Sequence, residues 1–292
     1  MPPSSQRHAA PLLLLGCIIF GLGSLIVKFV AVGSYAIAFW RLAIAAVIFY
    51  ALARLCHHPF PRSRKAVITA LLSGVFLAFD LALWHESIRA VGPGISTLLN
   101  SLQIFFLIAI GIVCFGERLS GLQGLSLLLA VGGVALIASP DLGHNGNALW
   151  GLVSGTASGA MLALSMLYVR KTHQVEKTSL FPLMMMLSCG GTLALIVPAL
   201  IFDRGALYPA TLRDITLVFI YGAVMQCFAW GLIAYAIPLL SLSLTGLLLL
   251  SEPVAALVID YFWLHKPING LQWSGAALTL AAIYLGSINS RK

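Results

Sequence analysis

Two carboxylates, Asp80 and Glu252, stand in the middle of long apolar runs of this 292-residue chain. A charge at the centre of a bilayer costs about 3 kcal/mol or more, so such groups usually face an interior cavity. There, either acid would neutralise a solute ammonium or carry a proton; the other reading is a permanent ion pair between helices, with Lys28 a candidate partner. His85 and Glu86 lie further along the run that holds Asp80. Asp260 stands two turns beyond Glu252 and reads as a rim pair with His265 or Lys266.

Neutral polar residues accompany both acids. Ser96, Asn100 and Gln103 are spaced i, i+4, i+7, and Ser241, Thr245 and Glu252 are spaced i, i+4, i+11. On an unbroken helix each set shares one face. A polar stripe facing lipid is strongly disfavoured, so both are expected to line a cavity at half depth. Alternatively they only glue helices, at about 0.6 kcal/mol per hydrogen bond. Of the aromatic side chains at similar depth, Phe79, Trp84 and Tyr235 are the candidates for a pocket wall; Trp40, Tyr168 and Trp230 lie near them. Rings would stack on a flat solute and attract a cationic one, although Trp and Tyr also gather at membrane interfaces, where Trp40 is expected.

The elements that must position these residues are set by composition. Hydrophobic residues make up 60% of the chain and charged ones 9%, against roughly 25% charged in a soluble domain. One soluble core has no room for so much apolar surface; the bilayer is the solvent. A spanning helix needs about 20 apolar residues, and ten runs meet that need: 9–32, 34–56, 66–90, 93–115, 120–139, 147–170, 179–202, 212–236, 240–264 and 268–289. The runs are continuous and rich in Leu, Ala and Ile, without the alternation of a β-barrel. The first is too long for a signal-peptide core and counts as a helix.

The formal charge of +8 is spread through short gaps between runs. That pattern sets orientation rather than a nucleic-acid surface. With the N-terminus in the cytoplasm, the inner connections hold Arg7, Arg54, Arg62, Arg64, Lys65, Arg118, Arg170, Lys171, Lys177, Arg291 and Lys292, and the outer ones only Arg89, Arg204, Arg213 and Lys266. Both termini are therefore expected inside. Lys28 and Arg41 fall within runs and stay out of that count. The five cysteines are scattered singly, without metal-ligand spacing, and read as packing residues. No metal or cofactor is expected.

The halves carry a short internal echo. Gly121-Leu122-Gln123 stands at the start of the last run of the first half, and Gly270-Leu271-Gln272 stands 149 positions later at the same place in the second. Under that offset Gln103 falls on Glu252 and Ser96 on Thr245. Five spans per half is an odd number, so the second copy is upside down relative to the first. The expected fold is all-α and integral to the membrane: ten helices in two inverted repeats, residues 1–143 and 144–292. Such a repeat has two nearly equivalent conformations, one open to each side.

Gly116-Glu117-Arg118-Leu119 followed by Gln123 resembles the signature of the drug/metabolite transporter superfamily, EamA-type ten-helix exporters. Glu252-Pro253 followed by Leu264 and Gln272 resembles its second copy, and Lys28 and Arg41 fit positions usual in the first two helices. Within the superfamily the chain is most similar to bacterial inner-membrane exporters of aromatic amino acids and methyl viologen. Phe20-Gly21 stands where Trp-Gly is usual, Ile104 where a proline often follows, and Lys266 where the second Glu is expected. The resemblance implies alternating-access export of small solutes, aromatic and other neutral amino acids first, with cationic drugs or nucleotide sugars as alternatives.

Hinges are expected at Gly92-Pro93-Gly94, Pro238 and Pro253, where proline weakens the helix ladder. The third and fourth helices, and the eighth and ninth, would then swing as hairpins. Glycines in the fifth and tenth runs (Gly124, Gly132, Gly133, Gly275, Gly286) permit close contact, bracing the halves or forming a weak dimer instead of a monomer. A membrane enzyme is disfavoured: no HExxH, DDxxD, GxSxG or P-loop is present.

Overall fold

The computed structural model describes residues 3–21, 23–138, 148–263 and 268–289. The side chains of Lys28, Pro93 and Asp260 lie outside the described residues, as do His265, Lys266 and the junction between 143 and 144.

No water in the hydrocarbon bonds a free backbone group, so an apolar chain satisfies its own ladder as helix. The helices are α1 (Pro3–Phe20), α2 (Gly23–Phe29), α3 (Ser34–Leu55), α4 (Arg64–Val91), α5 (Pro93–Ser101), α6 (Gln103–Phe115) and α7 (Gly121–Ala138). They continue as α8 (Ala148–Val175), α9 (Leu180–Phe202), α10 (Leu212–Ile220), α11 (Trp230–Ala236), α12 (Leu242–Leu249), α13 (Ser251–Trp263) and α14 (Gly270–Asn289). Between α10 and α11 the segment Tyr221–Ala229 winds as a π-helix, and Pro238 sits in a short 3₁₀ turn, Ile237–Leu239. Among the described residues, five stretches are long and apolar enough to cross a membrane: Ser34–Leu55, Arg64–Val91, Leu149–Val175, Leu180–Phe202 and Leu212–Leu239.

Three runs read as single helices are each two. The first parts after Phe20, the fourth at Leu102 and the ninth at Leu250. The last two breaks have the same form: ψ is −13° at Leu102 and −7° at Leu250, and each residue bonds back three positions instead of four. At Leu250 the cause is Pro253, which lacks the N–H that would reach Leu249 and whose ring crowds that carbonyl. The weak point is thus three residues upstream of the proline, which itself sits in the first turn of α13. Leu102 has no such proline. There Gly159 of α8 brings its backbone against the Asn100 carbonyl and the Gln103 amide, so closely that a Cβ would lie 2.9 Å from the former. Gly92 joins α4 to α5 at φ 86°, a conformation that glycine adopts without Cβ strain.

These breaks correct the stripe argument. Ser96 and Asn100 belong to α5 but Gln103 to α6; Ser241 caps α12 and Thr245 lies within it, but Glu252 belongs to α13. Spacing across a break does not define one face.

α4 packs along α8 and α9, α3 along α9, and α7 along α14. The α4–α9 crossing is backbone to backbone: Gly74 lies against the Leu187 carbonyl and Gly190 against that of Leu71. Gly133 meets Gly275 and Thr279 in the same way where α7 crosses α14. Large apolar side chains such as Val113, Leu193, Phe202 and Leu212 point outward, as a lipid-facing surface requires.

Polar contacts gather at the two ends of the bundle. At one end Glu117 accepts from Arg170 Nη1 at 2.6 Å and from the Leu242 amide at 3.0 Å, joining α8 to the start of α12. Nearby, Glu176 accepts the amides of Arg62 and Ser63 at 3.0 and 2.8 Å. At the other end Asp203 Oδ2 accepts the Tyr35 and Ala36 amides, 2.8 and 2.7 Å away, at the first turn of α3. Arg89 there donates to the Val32 carbonyl.

Candidate functional site

The breaks at Leu102 and Leu250 deliver Gln103 and Glu252 to a common place. Each stands at the start of a new half-helix, and both line one cavity with Phe20, Asp80, Leu81, Trp84, Asn100, Leu162, Trp230, Ile233 and Leu249. The cavity measures about 10 Å³, the room that one water needs. In this conformation it has no room for a solute larger than a water.

Its walls divide chemically. Asp80 Oδ1 accepts from Asn100 Nδ2 at 3.0 Å, and the same amide nitrogen donates to Ser158 Oγ at 2.6 Å. This network ties α4, α5 and α8 together, so Asp80 is engaged by a neutral amide and not by a cation. Glu252 is different. Among the described residues it makes no hydrogen bond or ion pair, and part of its surface stays open to the cavity. Gln103 is 3% exposed and its Oε1 has no donor; Trp230 is 2% exposed and its Nε1 has no acceptor. Phe20 stacks on Trp84 at 6.4 Å and lies tilted against Trp230 at 6.0 Å, completing an aromatic wall.

Five of the expected site residues therefore meet: Gln103, Glu252, Asn100, Asp80 and Trp84. Four do not line the cavity. Ser96 is buried with its hydroxyl donating to the Trp84 carbonyl at 3.2 Å, and Thr245 donates to the Ser241 carbonyl one turn back. Phe79 and Tyr235 are half-buried elsewhere on α4 and α11. Trp40 donates to the Leu207 carbonyl at 2.8 Å, near the Asp203 end.

Beside the Phe20 ring lies a group that the family resemblance placed in the second helix without giving it a role in the site. Arg41, on α3, is 0% exposed. Its guanidinium stacks 4.8 Å from the centre of Phe20 and 4.5 Å from that of Tyr221, and its Nε donates to Gln226 Oε1 at 2.7 Å. Among the described residues Nη1 and Nη2 have no acceptor at hydrogen-bond geometry, nor does Gln226 Nε2, although the guanidinium also interacts with the Tyr221 side chain. Asp80 and Glu252 are within its electrostatic reach, but no described carboxylate lies within ion-pair distance. Orphaned buried donors cost about 1–3 kcal/mol each, which makes this a costly arrangement to keep. The signal was present in the sequence, as an arginine inside an apolar run, which is a functional candidate by default. Tyr221 also receives His85, whose Nδ1 donates to the Ser34 carbonyl and whose Nε2 pairs with the Tyr221 hydroxyl at 2.9 Å.

A polar, aromatic-walled chamber between interrupted helices is the architecture of a solute carrier. The sequence profile of the EamA-like transporter family matches residues 8–139 and 149–288. The chain belongs to that family. It is a multi-pass membrane protein of a family whose members carry small solutes across membranes. It is 27% identical over 242 residues to a probable amino-acid metabolite efflux pump of Escherichia coli, covering 78% of this chain and 80% of that one. To an uncharacterized transporter of Archaeoglobus fulgidus it is 24% identical, over 96% of both chains. To a WAT1-related chloroplastic protein of Arabidopsis thaliana it is 25% identical over 87% of its own length, spanning 62% of that relative. A protein crystal structure superposes with a TM-score of 0.79 at 12% identity, covering 98% of this chain and 99% of the other, a likeness of fold alone.

Proposed function

We propose that this protein is a secondary transporter that exports small metabolites, chiefly aromatic and other neutral amino acids, by alternating access in the cell's inner membrane. Residues 1–143 and 144–292 are its two inverted five-helix repeats, and both termini face the cytoplasm. The observation that carries the reading is the convergence of Gln103 and Glu252, each at the start of a half-helix, on one small chamber.

Three further facts support it. The packing maps onto itself when the halves are exchanged: α4 against α8 has its counterpart in α1 against α11, α6 against α8 in α13 against α1, and α4 against α9 in the π segment against α3. The breaks at Leu102 and Leu250 are related by nearly the offset that relates Gly121 to Gly270. One relative bears the description of an amino-acid metabolite efflux pump. In this reading the Glu117 contacts close the cytoplasmic end and the Asp203 contacts the outer end.

Cationic drugs are the second reading, because the chamber holds two carboxylates and an aromatic wall suited to cations. Uptake of radiolabelled L-phenylalanine and of methyl viologen into proteoliposomes, with and without a pH gradient, separates the two. Saturable phenylalanine uptake that exceeds empty liposomes is expected. Transport of the dication alone would replace the amino-acid reading with the drug one.

A further inference from the structure

We infer that Arg41 is the anion-binding group of the transport site, holding the carboxylate of the solute, and that Phe20 is the lid over it. The inference rests on the amino-acid reading above and assigns the solute's two charges to two places: carboxylate to Arg41 and ammonium to Glu252.

The guanidinium has the chemistry for this. Nε is spent on Gln226, which with the Tyr221 side chain fixes the plane of the group, while Nη1 and Nη2 are fully buried with no acceptor at hydrogen-bond geometry among the described residues. Two N–H groups side by side match the two oxygens of a carboxylate. Gln226 Nε2, likewise unpartnered, adds a neutral donor beside them. Both side chains that orient Arg41, Tyr221 and Gln226, belong to the π-helical segment Tyr221–Ala229. Such segments are rare and recur at functional sites.

Access to those donors runs past Phe20. Its ring lines the chamber and also carries Arg41 at 4.8 Å, so it separates the guanidinium from the space beside Glu252. Phe20 is the last residue of α1. A side chain at a helix end is freed by a small change in backbone direction, whereas Trp84 and Trp230 sit within helical turns. Swinging the ring out joins the Arg41 donors to the Glu252 side of the chamber. The rival role for Arg41, a structural counter-charge to Asp80 and Glu252, leaves Nη1 and Nη2 without purpose and without hydrogen bonds to either acid.

The test uses the full chain, purified and reconstituted, with 3-phenylpropionate, its methyl ester, L-phenylalanine and phenethylamine as probes. Thermal unfolding of the wild type should shift upward with 3-phenylpropionate and L-phenylalanine but not with the ester. Arg41→Gln should weaken both carboxylate effects by at least about tenfold and leave phenethylamine unaffected. If Arg41→Gln does not fold, Arg41→Lys serves, with the same preference reduced because a point charge lacks the two-pronged geometry; the wild-type acid-against-ester comparison stands by itself. An ester that binds as well as the acid, or a variant that keeps the acid preference, overturns the assignment even if phenylalanine is transported. Acid binding that requires Arg41, without phenylalanine uptake, keeps the anion site and removes the amino-acid reading.

Discussion

Glu117 accepts a hydrogen bond from the backbone amide of Leu242, 125 residues further along the chain, while its same oxygen holds Arg170 at 2.6 Å. One carboxylate thus satisfies the first free N–H of α12 and pins α8 to it. The ion pair is only partly exposed, 22% and 13% for its two side chains. A charge-assisted bond of this kind is worth about 1.5–3 kcal/mol, discounted toward the lower figure for solvent screening. Glu117→Gln should lower the thermal midpoint in detergent. A double-mutant cycle with Arg170→Met should return a coupling near 1–2 kcal/mol by the same measure; additive effects would mean that the pair is incidental.

Asp80 and Glu252 should respond oppositely to loss of charge. Asp80 holds Asn100 and through it Ser158, so Asp80→Leu strips a buried network and should cost about 1–3 kcal/mol of stability. Glu252 has no hydrogen-bond or ion-pair partner among the described residues. Glu252→Gln should leave the amount of folded protein unchanged and cut transport of an ammonium-bearing solute by about tenfold or more, the worth of roughly 1.4 kcal/mol of binding. Expression yield together with initial uptake rate distinguishes the two. Equal transport by Glu252→Gln and wild type would remove the ammonium role.

Gly74 is a strict packing position and Gly132 is not. A Cβ at Gly74 would collide with the Leu187 carbonyl, which is backbone and cannot rotate away, whereas one at Gly132 meets nothing within 4 Å. Gly74→Ala should destabilise by about 1–3 kcal/mol or block folding; Gly132→Ala should be neutral. Size-exclusion profiles of the two variants side by side provide the comparison.

Glu176 is tied outside the membrane, where the amides of Arg62 and Ser63 hold its carboxyl below the usual carboxylate range. A group depressed in this way supports the fold above its unfolded pKa and loses that support as pH falls through the folded one. Protection of the Arg62 and Ser63 amides, measured as exchange relative to the intrinsic rate at each pH, should therefore be high at neutral pH and fall in acid. Glu176→Gln should show low protection throughout; a variant with wild-type protection would sever the link.

Cys56 is exposed at the end of α3 that faces the same way as the Glu117 and Glu176 contacts. With both termini in the cytoplasm, a membrane-impermeant maleimide should miss it in intact cells and label it in inverted vesicles. Reverse labelling would invert the proposed orientation.

How much of this was legible in the sequence follows from the range of the forces involved. The requirement that a span be about 20 residues and close its own hydrogen bonds is local, so hydropathy alone placed the ends of α3, α9 and α14 within a residue or two. The broken ninth helix was half legible, since Pro253 marks the neighbourhood but not the residue where the ladder fails.

What only the tertiary structure decided are the facts that depend on a second helix. The break at Leu102 carries no proline and arises against Gly159 of α8. Ser96 and Thr245 share spacing with Asn100 and Glu252 yet turn into helix contacts, because facing is set by how helices cross and where they part. Arg41 is visible in the sequence as an arginine in apolar surroundings. That its guanidinium lies over the Phe20 ring and is steadied from the π segment is written in the folded molecule alone, since those partners lie up to 185 residues away and chain proximity does not bring them together.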